Sequence, residues 1–271
     1  MRFSNTFSKK NRVLIRQLVI TDFKLRYQGS VLGYAWSLLK PLLLFAVMYV
    51  VFVHFLRFGE GIPHFVSALL LGIVLWTFFV ETVSQGMQSI VNRGDLIRKI
   101  SFPKYIIVVS SSLSALINLA INLMVVFVVM LLDGVDFGWS ALLFPLTALV
   151  IYALSLGLAL LLAALYVKYR DLGPIWEVFT QALFYATPIF YPLQMVIATN
   201  LVAAQALMLS PIAVLFQNAR AQLVGADSAM TAEQLSTNPV YLAVPYVIIV
   251  LIIGLGIWYF RKRSAHFAEE V

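Results

Sequence analysis

Residues 105–132 read YIIVVSSSLSALINLAINLMVVFVVMLL, and none of these side chains carries a charge. A helix of that length is about 42 Å long, whereas the hydrocarbon core of a bilayer is about 30 Å thick. Residues 141–167 and 240–260 are also free of charged side chains. Three uncharged stretches long enough to cross a bilayer predict a polytopic membrane protein built from α-helices.

The composition of the whole chain agrees with this prediction. Its 271 residues are 62% hydrophobic and 11% charged, whereas a soluble domain has about 25% charged residues. This excludes a water-soluble globular enzyme and an intrinsically disordered chain. The chain has no cysteine, which excludes disulfides, thiolate catalysis and cysteine-based metal sites. Its only histidines are His54, His64 and His266, too few for a His-rich metal centre, so we expect no metal site and no resident cofactor.

The apolar stretches predict six membrane spans. They cover residues 38–57, 65–83, 105–132, 141–166, 177–198 and 240–260. We therefore expect an all-α membrane protein in which residues 1–271 form a single transmembrane domain.

The region after the fifth span does not fit a simple crossing. Residues 178–219 contain no charged side chain, but Pro188, Pro192 and Pro211 interrupt them. If these residues crossed the membrane twice, the basic carboxyl terminus would lie on the opposite side of the membrane from the other basic loops. We expect instead one span followed by a broken or re-entrant segment within the external residues 199–239, since irregular backbone is tolerated at membrane depth only where protein or water covers it. An apolar external loop is the alternative.

Basic residues predict the orientation. Short basic loops stay in the cytoplasm, so both termini are expected there and the chain in the cytoplasmic (inner) membrane. The net charge of +7 is then a signal of topology rather than of nucleic-acid binding. Arg57 and Arg220 fall on the outer side, and Lys40 lies at the start of the first span. The other sixteen of the 19 Lys and Arg residues share one side, before residue 30 and at 93–104, 168–170 and 261–263.

The amino-terminal residues 7–30 mix basic side chains with apolar ones. Leu14, Ile15, Leu18 and Leu25 fall on one side of a helix, so we expect an amphipathic helix along the cytoplasmic leaflet. A disordered basic tail is the alternative. The first long apolar run begins near residue 38, which is too late for a cleaved signal peptide.

Two segments carry long motifs. Residues 18–42 read LVITDFKLRYQGSVLGYAWSLLKPL, and residues 92–103 read NRGDLIRKISFP. Both resemble the membrane subunits of type-2 ABC exporters of polysaccharides and polyol phosphates, the family of O-antigen, capsule and teichoic acid exporters. The resemblance covers essentially the whole chain, including the Arg170-Asp171 pair, and departs at Thr21, where a basic residue is usual. The interface motif that it identifies consists of Asp22, Lys24, Arg26, Tyr27, Ser30, Gly33, Trp36 and Pro41.

The second motif has physical features of its own. It is short and basic, and Gly94 and Pro103 are typical boundaries of a short helix. Composition alone favours a basic loop that fixes orientation, whereas the resemblance implies a segment that couples to an ATPase. Residues 168–174 are a second candidate for this role. The predicted coupling residues are Asn92, Asp95, Leu96, Ile97, Arg98, Lys99, Phe102 and Pro103.

The energy source is expected on another subunit. The chain contains no Gly-x-x-x-x-Gly-Lys-Ser/Thr phosphate loop, and no cytoplasmic segment can hold a nucleotide-binding domain of about 100 residues or more. We therefore predict that the chain itself is not an enzyme. The resemblance implies a homodimer with two copies of an ABC ATPase that binds ATP and Mg, a lipid-linked glycan substrate, and contact with membrane lipid.

Aromatic side chains make up 14% of the chain. One group lies on a single face of the first span and consists of Phe45, Tyr49 and Phe52. A second group surrounds Thr187-Pro188 and consists of Phe184, Tyr185, Phe190 and Tyr191. An aromatic ring can stack on the apolar C–H face of a sugar, and the resemblance implies an aromatic-lined sugar conduit. Ordinary packing or interfacial aromatics are the alternative. The predicted conduit residues are Phe45, Tyr49, Phe52, Phe184, Tyr185 and Tyr191.

These observations favour the permease subunit of an ATP-driven exporter of a lipid-linked polysaccharide. An exporter of drugs or lipids with the same fold is the alternative. An intramembrane glycosyl- or acyltransferase would need clustered His, Asp or Glu, and no such cluster is apparent. Glu81 and Glu177 fall near predicted cytoplasmic span ends, and no series of acidic residues crosses the membrane, which argues against a proton- or sodium-driven carrier.

Overall fold

The computed structural model describes residues 9–27 and 33–270. Across these residues the regular structure is helical and contains no strand, so the predicted all-α fold is confirmed. The helices are α1 (Lys9–Tyr27), α2 (Trp36–Met48), α3 (Phe65–Asn92), α4 (Gly94–Lys99), α5 (Tyr105–Leu132), α6 (Phe144–Tyr166), α7 (Leu172–Ala186), α8 (Leu193–Thr199), α9 (Leu201–Leu207), α10 (Pro211–Leu223), α11 (Ala232–Leu235), α12 (Pro239–Arg263) and α13 (Phe267–Glu270). A π-helical segment, Tyr49–Phe55, continues α2, and short 3-10 segments precede α2 (Gly33–Ala35) and α6 (Trp139–Leu143).

Among the residues that the structure describes, five helical segments are long and apolar enough to cross a membrane. They correspond to the first, second, third, fourth and sixth predicted spans. The second is longer than predicted, because α3 continues past residue 83 to Asn92. The five segments are Trp36–Phe55, Phe65–Asn92, Tyr105–Leu132, Trp139–Tyr166 and Pro239–Arg263.

The fifth predicted span, 177–198, is wrong as a continuous helix. α7 ends at Ala186, and residues 187–192 separate it from α8. Pro188 and Pro192 explain the break, since proline lacks the N–H that an α-helix needs and its ring clashes with the preceding turn. The bend predicted farther along is present: α9 and α10 meet at 96° and together are apolar enough for one span.

α3 lies at the centre of the bundle and packs against α5 and α6. Its apolar stretch is 78% buried, against 6% for Trp36–Phe55. Leu71, Phe79 and Met87 are among its fully buried side chains. Apolarity alone does not account for this burial, because α12 is also apolar and is mostly exposed. α3 is buried because other helices pack around it, whereas the exposed apolar surface of α2 requires lipid or another chain to cover it.

Glycines allow α6 and α12 to cross closely. A Cβ at position 256 would overlap the carbonyl group of Gly157, and a Cβ at position 157 would lie 2.8 Å from the Cα of Ile253. Small residues at such a crossing gain van der Waals contact, which drives helix association where water is absent. The crossing fixes α12, whose last turn is basic.

α1 confirms that the amino-terminal region is helical, and it packs on α5. Leu14, Ile15 and Leu18 are half-buried, whereas Arg12 and Arg16 are exposed. This one-sided burial fits the predicted amphipathic pattern. The side chain of Leu25, and residues 7, 8 and 28–30 of the predicted helix, lie outside the described residues.

Candidate functional site

The predicted coupling segment contains a short helix, α4, between the long helices α3 and α5. Asp95 lies in its first turn, and Arg98 and Lys99 lie in its last, as the helix dipole favours. The guanidinium of Arg98 donates to the Asp95 carboxylate at 3.1 Å, and both side chains are exposed. Ile97 is only 3% exposed. α4 therefore presents charges outward and an apolar anchor inward.

The remaining predicted coupling residues flank this helix. Asn92 is exposed, while Leu96, Phe102 and Pro103 are half-buried. The ammonium of Lys104 lies 5.2 Å from the ring centre of Phe102, within the range of a cation–π contact. Val91 and Phe102 pack against the buried cluster that contains Ile97, so the segment is held to the bundle on both sides of its exposed charges.

Arg93 ties this segment to two other helices. Its guanidinium donates to Oγ of Ser110 on α5 at 3.1 Å and forms an ion pair with Asp22 on α1. Both members of the pair are mostly buried, and burial lowers the pKa of Arg93. The pair joins the interface motif to the coupling segment. Sequence reasoning missed Arg93, because no local pattern identifies a partner on a distant helix.

An apolar cluster lies beneath α4. Ile97 packs there with Phe260 of α12, and the carboxyl-terminal α13 adds Phe267, which is fully buried. The rings of Phe260 and Phe267 meet edge to face with their centres 5.3 Å apart. An ion pair of 3.0 Å between Arg263 and Glu270 fastens α13 to α12. The carboxyl terminus therefore supports α4, a role that the sequence did not indicate.

The interface motif is described in part. Asp22 forms the ion pair, and Lys24 is exposed. Gly33 adopts φ +47°, a left-handed conformation that favours glycine at the turn into α2. Trp36 begins α2 and is 45% exposed, whereas Pro41 is buried within α2. The side chains of Arg26 and Tyr27, and the whole of Ser30, lie outside the described residues.

Four predicted conduit aromatics gather around a fifth ring, that of Phe190. The ring centres of Phe52, Phe184, Tyr185 and Tyr191 lie 4.6, 5.7, 5.8 and 5.0 Å from it, respectively. Aromatic pairs favour separations of about 4.5–7 Å. We name these five residues the aromatic cluster. The predicted lining set omits Phe190, because its central place depends on how the break between α7 and α8 folds.

Phe45 and Tyr49 form a separate pair, with ring centres 6.0 Å apart. They line a cavity of about 380 Å³ together with Val66, Leu132 and Asp133. The structure therefore divides the predicted conduit residues into two groups along α2.

A cavity of about 420 Å³ opens beside the aromatic cluster, between α2, α3 and α7. Glu177, Gln181 and Tyr185 line it from one exposed face of α7; we name these three residues the α7 polar face. Carboxylate, amide and phenol groups can exchange hydrogen bonds with hydroxyl groups. Gln181 was absent from the predicted site. The signal that could have found it is the four-residue spacing of three polar side chains in an apolar helix.

Glu81 lies farther inside its helix than predicted, because α3 continues to Asn92. The Asn118 side chain of α5 donates to the Glu81 carboxylate at 2.7 Å, and Asn122 donates to the carbonyl of Ser37 at 3.2 Å. Hydrogen bonds between helices hold membrane bundles together. They connect α5 to both α3 and the start of α2.

Within residues 9–27 and 33–270, no three His, Asp or Glu side chains are grouped so that they could hold a metal ion. His64 Nδ1 lies 3.5 Å from Asp133 Oδ2, which also accepts a hydrogen bond from Ser67 Oγ at 2.6 Å. These contacts fasten the loop before α3 to the end of α5.

Long apolar helices, a bent helical pair and a short charged helix between α3 and α5 define a multi-pass, all-α membrane protein. Residues 13–224 match the ABC-2 type transporter family, and the chain belongs to that family. Over 260 residues it is 29% identical to the O-antigen export system permease protein RfbA of Myxococcus xanthus, with 96% of each chain covered. Two proteins of the same name from Klebsiella pneumoniae are each 28% identical over 185 residues, which cover 66% of this chain and 70% of theirs.

Proposed function

We propose that the protein is the permease subunit of an ATP-driven exporter that moves a lipid-linked, O-antigen-like polysaccharide across the cytoplasmic membrane. The observation that carries the proposal is the similarity to an O-antigen export permease over 96% of both chains. That similarity includes α4 and the aromatic cluster, the two parts of the fold best suited to transport. The chain itself has no enzymatic role in this scheme.

α4 is the segment that docks on the ATPase. Asp95, Arg98 and Lys99 offer charged contacts to the partner, while Ile97 anchors the helix in the bundle. Because α4 is bounded by α3 and α5, a push on α4 moves the ends of two long helices together. ATP and Mg belong to the partner subunit, and the permease receives only the motion that hydrolysis causes.

The working assembly is a homodimer with two copies of the ATPase. α2 offers a surface for contact between the two permeases, since only 6% of its apolar stretch is buried. The cavity lined by the α7 polar face lies next to α2. A second copy packed near α2 would cover apolar surface and enclose the cavity between the two permeases.

The polysaccharide passes along the aromatic cluster and the α7 polar face. Aromatic rings contact the apolar faces of sugars, and Glu177 and Gln181 exchange hydrogen bonds with their hydroxyl groups. Each contact is weak and resembles the next, so a polymer can move past them without being trapped at one position. Cargo approaches near α1 and the start of α2.

Both termini and α4 lie in the cytoplasm. Ile97, Val167 and Phe260 belong to one buried cluster, and each is followed directly by a basic residue. We name this end of the bundle the basic end. Its charge fits the positive-inside rule, and the α9–α10 bend then lies in the outer half of the protein.

Co-purification followed by an ATPase assay tests the proposal. The permease would be isolated from detergent-solubilised membranes, and ATP hydrolysis measured with lipid-linked glycans, drugs or simple phospholipids. We expect an ABC ATPase at equal stoichiometry that lipid-linked glycan stimulates. Stimulation by drugs or simple lipids alone would reject the cargo, and the absence of any ATPase from the native complex would reject the coupling.

A further inference from the structure

Arg220 on α10 is buried, with 3% of its surface exposed. Its guanidinium donates from Nε to the carbonyl of Ala68 at 2.9 Å and from Nη1 to the carbonyl of Pro188 at 2.6 Å. Nη2 donates to the carbonyl of Ile189. One side chain therefore joins α10 to the first turn of α3 and to the break between α7 and α8.

The surroundings of Arg220 are shaped to receive a guanidinium. A Cβ at position 72 would overlap Nη2, so α3 has glycine where the side chain passes. The fourth acceptor, Oε1 of Gln217, lies 3.4 Å from Nη1. All four acceptors are uncharged oxygens, so the guanidinium is held by amide dipoles rather than by an ion pair.

The carbonyls of Pro188 and Ile189 need such a donor. Residues 187–192 are not helical, and the side chains of Thr187, Ile189 and Phe190 are buried. Burying a backbone carbonyl outside a helix in an apolar environment costs free energy unless a donor forms a hydrogen bond with it. Arg220 supplies that donor to the two residues directly before Phe190, and so fixes the backbone that holds the centre of the aromatic cluster.

We propose that Arg220 is a positioning residue that keeps residues 188–190 against α3 and thereby keeps the aromatic cluster closed until transport displaces α10. This inference rests on the proposed function and identifies what holds the path shut. Displacement of α10 would withdraw all of the bonds to Ala68, Pro188 and Ile189 together. The break would then be free to carry Phe190 away from Phe52.

Cysteine labelling tests this role cleanly, because the chain contains no cysteine. Thr187→Cys places a thiol at the break, where the native side chain is 1% exposed. Thr237→Cys is a control at an exposed position, and Ser155→Cys is a control in the buried part of α6. Labelling by a membrane-impermeant maleimide would be followed in right-side-out vesicles that contain the complete transporter.

In the native background, we expect slow labelling of Thr187→Cys that rises during turnover with ATP and lipid-linked glycan. Arg220→Gln should raise the resting rate by at least about tenfold, because hydrogen bonds from a charged donor are stronger than those from an amide. It should also remove the dependence on turnover. Arg220→Lys should give an intermediate rate, and Gly72→Ala, which crowds the guanidinium, should act in the same direction.

Two results would overturn the inference. One is an unchanged rate at Thr187→Cys in the Arg220→Gln protein; the other is a raised rate that still responds to turnover as in the native protein. If Arg220→Gln also exposes Ser155→Cys, the chain has unfolded, and Arg220→Lys and Gly72→Ala decide by the same two criteria. Resting labelling requires neither export nor ATP, so failure of the proposed cargo would leave the resting comparison intact.

Discussion

Asp22 of α1 and Arg93, directly before α4, form an ion pair although 71 positions separate them in the sequence. Arg93 also donates to Ser110 of α5, so one guanidinium holds three helices at the basic end. The pair is a direct physical link between the interface motif and the coupling segment. Under the proposed function, motion of α4 would reach α1 through this contact.

Arg93→Gln and Asp22→Asn should each destabilise the protein and reduce export. A hydrogen bond to a charged group contributes about 1.5–3 kcal/mol, and both side chains are mostly buried. Because the two residues act as one unit, the double variant should lose less than the sum of the single losses. The measurements are thermal unfolding of the purified complex and export in cells.

The Asp95–Arg98 pair is the matched control, since it has the same chemistry on an exposed surface. Exposed ion pairs contribute about 0–1 kcal/mol, so Asp95→Asn should leave the unfolding temperature close to native. Equal losses of stability at the two pairs, or strict additivity between Asp22 and Arg93, would contradict the assigned link.

Charge reversal on α4 should abolish export without unfolding the protein. Asp95→Arg and Arg98→Glu change exposed side chains, and surface substitutions usually alter stability by about 0.5 kcal/mol or less. They would nevertheless place the wrong charge against the ATPase. Co-purification of the ATPase and export would be measured together. Glu60→Arg is the control, because Glu60 forms a similarly exposed pair with Arg57 away from α4; normal export by either α4 variant would reject this docking surface.

The sequence was sufficient for the features that depend on local chemistry. Uncharged stretches predicted the long helices, and Gly94 and Pro103 predicted a short helix between them, which the structure shows as α4. Prolines predicted a break near the fifth span, although not that α7 stops at Ala186. Aromatic residues around Thr187-Pro188 were grouped from the sequence, but Phe52 was grouped with Phe45 and Tyr49, whereas its ring lies against Phe190.

Contacts between distant helices could not be predicted in this way. The positive-inside rule treats Arg220 only as a basic residue on the outer side, whereas its role depends on carbonyls 31 and 32 positions away. Phe267 lies in a short segment after the last basic turn, and nothing local indicates that it returns to α4. Phe190 becomes the centre of its cluster only when the break brings it to Phe52 of α2.

Phe267→Ala should loosen α4 and weaken the coupling of ATP hydrolysis to export. Phe267 is fully buried beneath Ile97, and removal of a buried phenylalanine ring costs about 3–5 kcal/mol. Phe267→Leu keeps most of the volume and should behave nearly as the native protein. The ratio of ATP hydrolysed to polysaccharide exported is the measurement. A native ratio in a folded Phe267→Ala protein would show that α13 does not position α4.

Tyr185→Ala should slow export more than Phe179→Ala, which truncates a ring of comparable exposure on the same helix. Tyr185 contributes to the aromatic cluster and to the cavity beside α2, whereas Phe179 lines an apolar cavity that includes residues of α6 and α12. An aromatic contact contributes about 0.5–1.5 kcal/mol, so the expected reduction is about two- to tenfold in the export rate, with the amount of protein in the membrane unchanged.

Tyr185→Phe keeps the ring and should retain most of the rate, because stacking on sugars needs the ring rather than the phenol hydroxyl. If Phe179→Ala and Tyr185→Ala slow export equally, the path does not run along the α7 polar face, and the cavity next to α2 is only a packing gap.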